Sequence, residues 1–141
     1  LILLDIDMFK TVNDVYGHQG GDEVLRAVAN AAKNAVREID LCARYGGEEL
    51  AILLPTTPLS GAAKLAERLR QEVSKLRVTA PTGGGPITVT ASFGVASYTE
   101  SVKAGDLLFP AADKALYQAK NSGRNCVRQA MSRSAFRRDA S

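Results

Sequence analysis

The spacing of apolar positions along this chain changes several times, and each change marks a new element. Leu1-Ile2-Leu3-Leu4-Asp5-Ile6-Asp7 is an apolar run closed by two acids spaced i, i+2. This predicts a buried central strand with Asp5 and Asp7 on the same face at its carboxyl end, where α/β sheets place ligand chemistry. The plain alternative is that one of these acids caps the next helix. A short helix or turn is expected over 8–16, closed by Gly17-His18-Gln19-Gly20-Gly21. Asp22 then starts a helix to about residue 36, with Val24, Val28, Ala31, Ala32 and Ala35 on one face. At that position Asp22 would serve as a helix cap.

Two strand-like runs follow, Leu41-Cys42-Ala43-Arg44-Tyr45 and Leu50-Ala51-Ile52-Leu53-Leu54. Between them Gly46-Gly47-Glu48-Glu49 predicts a β-hairpin with both glycines at the turn and two acids at the tip. Bare glycines there could take positive φ and let an anionic ligand approach the backbone. After the helix start Pro55-Thr56-Thr57-Pro58, the residues Leu59, Ala62, Ala66, Leu69, Val73 and Leu76 give a second amphipathic helix. Gly83-Gly84-Gly85-Pro86 reads as a loop between two strands, since a phosphate cradle would need a following Lys-Ser/Thr and a helix. Residues 88–95 read as a strand, and 110–120 as a third helix with Pro110 in its first turn and Gly123 as its stop. Cys126-Val127 is expected to form a last strand.

This order predicts an α+β fold, a palm-like mixed or antiparallel sheet flanked by helices, rather than a doubly wound one. With the first hairpin beside the first strand, Asp5 comes close to Glu48. Converging carboxylates repel unless a cation neutralises them.

Composition narrows the function. The chain has 141 residues, 45% of them hydrophobic, enough for one globular domain. Its net charge of +3 is all carried by residues 128–141, where Arg128, Arg133, Arg137 and Arg138 outweigh Asp139. The body is therefore neutral, which argues against nucleic acid as a partner. The same tail lacks periodicity and is expected to be disordered, leaving 1–127 as the domain. Cys42 and Cys126 match neither a disulfide framework nor a metal-ligand spacing. The chain starts within a strand, so an upstream segment is expected.

Acids without His or Cys suit Mg²⁺ or Mn²⁺, and magnesium held by few carboxylates completes its shell with water and substrate phosphates. A nucleoside triphosphate is the substrate class this implies. Lys10, Arg44, Lys120 and Arg124 are candidate cations for its phosphates.

Taken together, Asp5-Ile6-Asp7-Met8-Phe9-Lys10, Asn13-Asp14, Gly17-His18, Gly21-Asp22, Arg44-Tyr45-Gly46-Gly47-Glu48-Glu49 and Tyr117-Gln118-Ala119-Lys120-Asn121-Ser122-Gly123-Arg124-Asn125 resemble the GGDEF family of diguanylate cyclases. The likeness runs from residue 1 to about 127. It implies a palm related to nucleotide cyclases and polymerases that condenses two GTP into cyclic di-GMP. Asp5, the Ile6 carbonyl and Glu48 would bind two metal ions per site. Glu49, or Glu48 itself, would deprotonate the attacking 3′-hydroxyl, with Arg44 in the same catalytic group. Asn13 and Asp22 would read guanine with His18 nearby. Phe9, Lys10, Gly46, Gly47, Lys120 and Arg124 would surround the phosphates.

The resemblance also implies an inhibitory product site at Arg37 and Asp40, with Arg68 added from a neighbouring helix. Each domain would hold one GTP, so catalysis would need a homodimer, assembled by an upstream sensory or dimerisation domain. A cytoplasmic location is implied for the domain itself, with any membrane anchor upstream. Leu50 stands where the family usually has phenylalanine, and Pro110 falls in a helix the family usually runs through. The family's segment Asp-x-Leu-Thr-Gly-Leu-x-Asn-Arg-Arg is not in this sequence. The competing readings are a silent module binding GTP or cyclic di-GMP, and an adenylyl cyclase-like enzyme, which Asn13 and Asp22 disfavour.

Overall fold

The computed structural model describes residues 1–131. A five-stranded sheet forms its centre, from β1 (Ile2–Ile6), β2 (Leu41–Arg44), β3 (Glu49–Leu53), β6 (Ala91–Val95) and β7 (Val127–Gln129) in the order β2-β3-β1-β6-β7. All neighbours are antiparallel except β6 and β7. With its helices this is the mixed α+β architecture expected. β4 (Val78–Thr79) and β5 (Pro86–Ile87) make a separate small hairpin whose loop, 80–85, ends in the glycine run 83–85. The sheet continues two residues past 127, and 132–141, with the rest of the expected disordered tail, lie outside the described residues.

β1 is central because all of its residues are apolar or become paired. Ile2, Leu4 and Ile6 point to a core completed by Leu50 and Ile52 of β3 and by Phe93 and Val95 of β6. α1 (Phe9–Ala35) and α2 (Leu59–Lys75) cover that face with Val24, Val28, Leu69 and Val73. Leu50, the departure from the usual phenylalanine, is 2% exposed opposite Leu4, so the change is one of packing. On the other face α3 (Leu108–Asn121) packs Ala112 and Leu116 over Leu3. Pro110 sits in its first turn, where a missing N–H costs nothing.

Contact between α3 and β6 depends on Gly94. A Cβ there would run into the Ala112 carbonyl and the Leu116 amide, neither of which can swing aside. Gly94→Ala is therefore expected to destabilise the domain by about 3 kcal/mol through overpacking against backbone. Thermal unfolding should fall by about 10 °C. An unchanged melting temperature would contradict this packing.

Two expectations need correction. The break expected over 17–21 is confined to Gly17, whose φ of 76° is in the left-handed region: it parts two helical segments of α1, and the second resumes at residue 18, ahead of the expected start at Asp22. Glycine alone takes that conformation at little cost, so one residue absorbs the kink and the helix resumes. Asp22 consequently lies inside the helix and caps nothing. The strand expected over 88–95 begins only at Ala91, because 88–90 is the extended link from the small hairpin.

Candidate active site

The site lies at the carboxyl end of β1, where the hairpin tip, the first turns of α1 and the end of α3 meet. The register sets Asp5 directly opposite Glu49, one position away from the expected neighbour Glu48. Directly paired residues of antiparallel strands share a face, so Asp5 and Glu49 both project toward α3. Glu48 lies beside Ile6 through its backbone, whose carbonyl accepts the Ile6 N–H at 3.1 Å. Its side chain lines a different cavity.

Asp5 is 6% exposed, and Lys120 of α3 donates to its Oδ2 at 2.5 Å. This pair explains how a carboxylate survives inside an apolar strand. Burial pushes the Glu49 carboxyl above its usual range, the charge of Asp5 adds to this, and Lys120 opposes it. Tyr45, edge-on to Phe109 with ring centroids 5.4 Å apart, walls the same side. Its phenol is pushed up by burial and by Glu49.

On the α1 side, Glu48 shares a cavity of about 350 Å³ with Phe9, Lys10, Asn13, His18 and Asp22. Gly47 and Arg44 line its rim. Asn13 and Asp22 are nine positions apart and come together because the kink at Gly17 turns the two helical halves against each other. Gly21 leaves the space that the Asn13 side chain occupies. One cavity thus gathers six of the residues expected around the nucleotide.

The hairpin turn differs in one respect from expectation. Neither Gly46 nor Gly47 takes a left-handed φ. Bareness at Gly46 makes room instead for the Glu49 carboxylate, which a Cβ would strike. Arg44 donates to the carbonyls of Gly46 and Gly47 at 3.0 and 2.9 Å, closing the tip. Its guanidinium therefore holds the turn that presents the acids.

Asp7 is 7% exposed and caps no helix. It accepts from Ser92 and Thr90 Oγ at 2.7 Å each and from the Asn125 N–H at 3.0 Å. Sequence reasoning gave Asp7 no such partners; Thr90 and Ser92, small hydroxyls in an otherwise apolar stretch, were the available signal. Arg124, an expected phosphate cation, is exposed in the loop after α3.

Arg37 and Asp40 form a second cluster some distance along the chain. Arg37 donates through Nε and Nη2 to both Asp40 oxygens at 3.1 and 2.9 Å, and through Nη2 to Thr57 and the Pro55 carbonyl. The hydrogen bonds from Arg37 hold the Asp40 carboxyl below its usual range. Arg68 donates to the Ala35 carbonyl at 3.1 Å and lines, with Arg37 and Asp40, a cavity of about 290 Å³. The three residues expected for an inhibitory site are thus assembled.

Buried Asp5, the Ile6 carbonyl and the hairpin acid Glu48 beside Ile6 offer an anionic, all-oxygen donor set that fits a hard divalent cation. Among the described residues no three His, Cys, Asp or Glu side chains close into a ready cage. Magnesium tolerates such an open site because water and phosphate supply the remaining ligands. Among the described residues no helix is long and apolar enough to cross a membrane.

A kinked helix faces a Gly-Gly-Glu-Glu hairpin across an acidic strand end, on the sheet of a palm-type fold. Residues 1–126 match the model of the family described as diguanylate cyclase, GGDEF domain, and the chain belongs to that family. The response regulator PleD of Caulobacter vibrioides is 45% identical over 126 residues, covering 89% of this chain and 28% of that protein. Diguanylate cyclase DgcM of Escherichia coli is 47% identical over 127 residues, covering 90% and 30%. The chain thus spans less than a third of these relatives. The crystal structure of the GGDEF domain of DgcB from Caulobacter crescentus, in complex with c-di-GMP, superimposes with a TM-score of 0.85 at 38% identity. It covers 92% of this chain and 75% of that one.

Proposed function

We propose that this domain is a diguanylate cyclase that joins two GTP into cyclic di-GMP with release of two pyrophosphates, as a homodimer of half-sites. The observation that carries the reading is the pairing, at one strand end, of the Asp5–Glu49–Lys120 cluster with the Asn13–Asp22–Glu48 cavity. A binding module would have no use for a buried carboxylate facing a second acid, which argues against the silent alternative.

Asp5, the Ile6 carbonyl and Glu48 would hold Mg²⁺ or Mn²⁺, two ions per site. Bound there, the ions would lower the pKa of the 3′-hydroxyl and offset charge on the triphosphate. Glu49, directly opposite Asp5 in the register, takes the hydroxyl proton. Lys10, Lys120 and Arg124 balance the phosphates beside the backbone of Phe9. Asp22 accepts from guanine N1–H and N2–H, Asn13 adds a second polar contact, and His18 borders the ring. Arg44 keeps Gly46 and Gly47 folded so that both acids face the nucleotide.

The binding part of this reading is tested by calorimetry with GTP and ATP, each with Mg²⁺ or with EDTA. GTP should bind in magnesium and lose at least about tenfold in affinity on chelation, since the phosphates lose their counter-ions. Equal affinity for ATP, or no effect of EDTA, would overturn it.

Arg37, Asp40 and Arg68 would form the inhibitory product site, since a planar guanidinium can hydrogen-bond or stack on a guanine. Arg37→Ala should raise the cyclic di-GMP concentration needed for half-inhibition by about a hundredfold. Initial GTP turnover should stay within about twofold, because the cluster lies away from Asp5. Inhibition as strong as in the parent would remove this assignment.

A further inference from the structure

Asp7 is the second acid of the Asp5-Ile6-Asp7 pair, and the proposed chemistry leaves it without a task. Its geometry differs from that of Asp5. Oδ1 accepts from Ser92, and Oδ2 accepts from both Thr90 and the Asn125 backbone. The Asp7 N–H also donates to the Thr90 carbonyl at 2.9 Å. The carboxylate therefore faces β6 and the loop after α3, and its oxygens are already engaged.

That loop is strained. Gly123, Arg124 and Asn125 all have left-handed backbones, with φ of 101°, 62° and 46°. Only the first is glycine, and two successive non-glycine residues keep such φ values only where their surroundings hold them. Three contacts do so. The Arg124 N–H donates to the Ala119 carbonyl at 3.2 Å, which continues the end of α3. The Asn125 N–H donates to Asp7, and Arg70 of α2 donates to Asn125 Oδ1 at 2.9 Å. Arg70 is itself fixed by Glu67 at 2.6 and 2.9 Å.

We infer that Asp7 is a positioning residue that, with Arg70, locks the left-handed loop so that Arg124 is presented to the triphosphate before the nucleotide arrives. This inference rests on reading the β1 end as a GTP site. The charge-assisted bond from Asp7 is the stronger kind of backbone anchor. Without it, Arg124 would still be cationic but would have to order its backbone as well as its side chain on binding, and affinity would fall accordingly. Asp5 and Asp7 thus divide the labour of one motif: Asp5 faces the reaction, and Asp7 fixes the cation loop from behind.

The test is a double-mutant cycle on GTP affinity with a magnesium titration. Asp7→Asn and Arg124→Ala should each weaken GTP by about tenfold, and the double variant should bind no more than about twofold worse than Arg124→Ala alone. The magnesium concentration giving half-maximal binding should not move in Asp7→Asn. Asn125→Val attacks the same loop from its exposed side, because a branched side chain resists left-handed φ. It should reproduce the Asp7→Asn effect and its disappearance beside Arg124→Ala, which keeps the test open if the buried variant folds poorly. Additive losses of about a hundredfold in the double variant, or a shifted magnesium dependence, would overturn the positioning role. Parent protein that does not bind GTP would instead overturn the functional reading on which it rests.

Discussion

Replacing Asp5 by Asn should reduce GTP turnover by about a thousandfold, the loss expected when several kcal/mol of charge stabilisation leave the transition state. The substitution keeps the shape of a side chain that is 6% exposed, so packing changes little. What goes is the negative charge facing Lys120 and Glu49. Two effects then act together: the divalent cation loses a ligand, and the Lys120 ammonium loses its buried partner. Glu49→Gln should fall by about a hundredfold or more, since it removes only the proton acceptor. Turnover and thermal unfolding measured on the same dimeric preparations separate chemistry from folding. Asp5→Asn turnover within about tenfold of the parent would contradict the assignment of this acid to the reaction.

The second large effect is on the base that is recognised. Asp22→Asn should weaken GTP by about a hundredfold while leaving the weak binding of ATP unchanged. The carboxylate offers two acceptors to N1–H and N2–H of guanine, and an amide can offer only one while setting a donor against the other. Loss of a mate for a polar group inside the cavity is costlier than loss of an apolar contact. Competition of GTP and ATP for the same site measures it. A variant that loses GTP and ATP affinity equally would show that Asp22 shapes the pocket without reading the base.

Much of this site could be read from the sequence, because strand and helix periods fix which acids share a face. The parity of β1 predicted that Asp5 and Asp7 point the same way, and the paired glycines predicted the hairpin. Register was out of reach: whether Glu48 or Glu49 stands opposite Asp5 depends on a one-residue slip that local sequence does not encode. The break at Gly17 was read as too long because three glycines in five residues suggest a wider interruption, whereas only Gly17 carries an unusual φ. Contacts such as Asp7 with Asn125 span more than a hundred residues and come only from the fold. Arg44 illustrates the same limit, since its bonds to the Gly46 and Gly47 carbonyls are not visible in a cation written beside two acids.

The central claim is that the Asp5–Glu49 pair and the Asn13–Asp22 cavity belong to one enzyme making a cyclic dinucleotide. Dimeric protein mixed with GTP and Mg²⁺, with products separated by chromatography, tests it directly. The account predicts cyclic di-GMP and pyrophosphate in a one-to-two ratio, abolished by Asp5→Asn. GTP bound by dimeric protein with no cyclic di-GMP formed would contradict it.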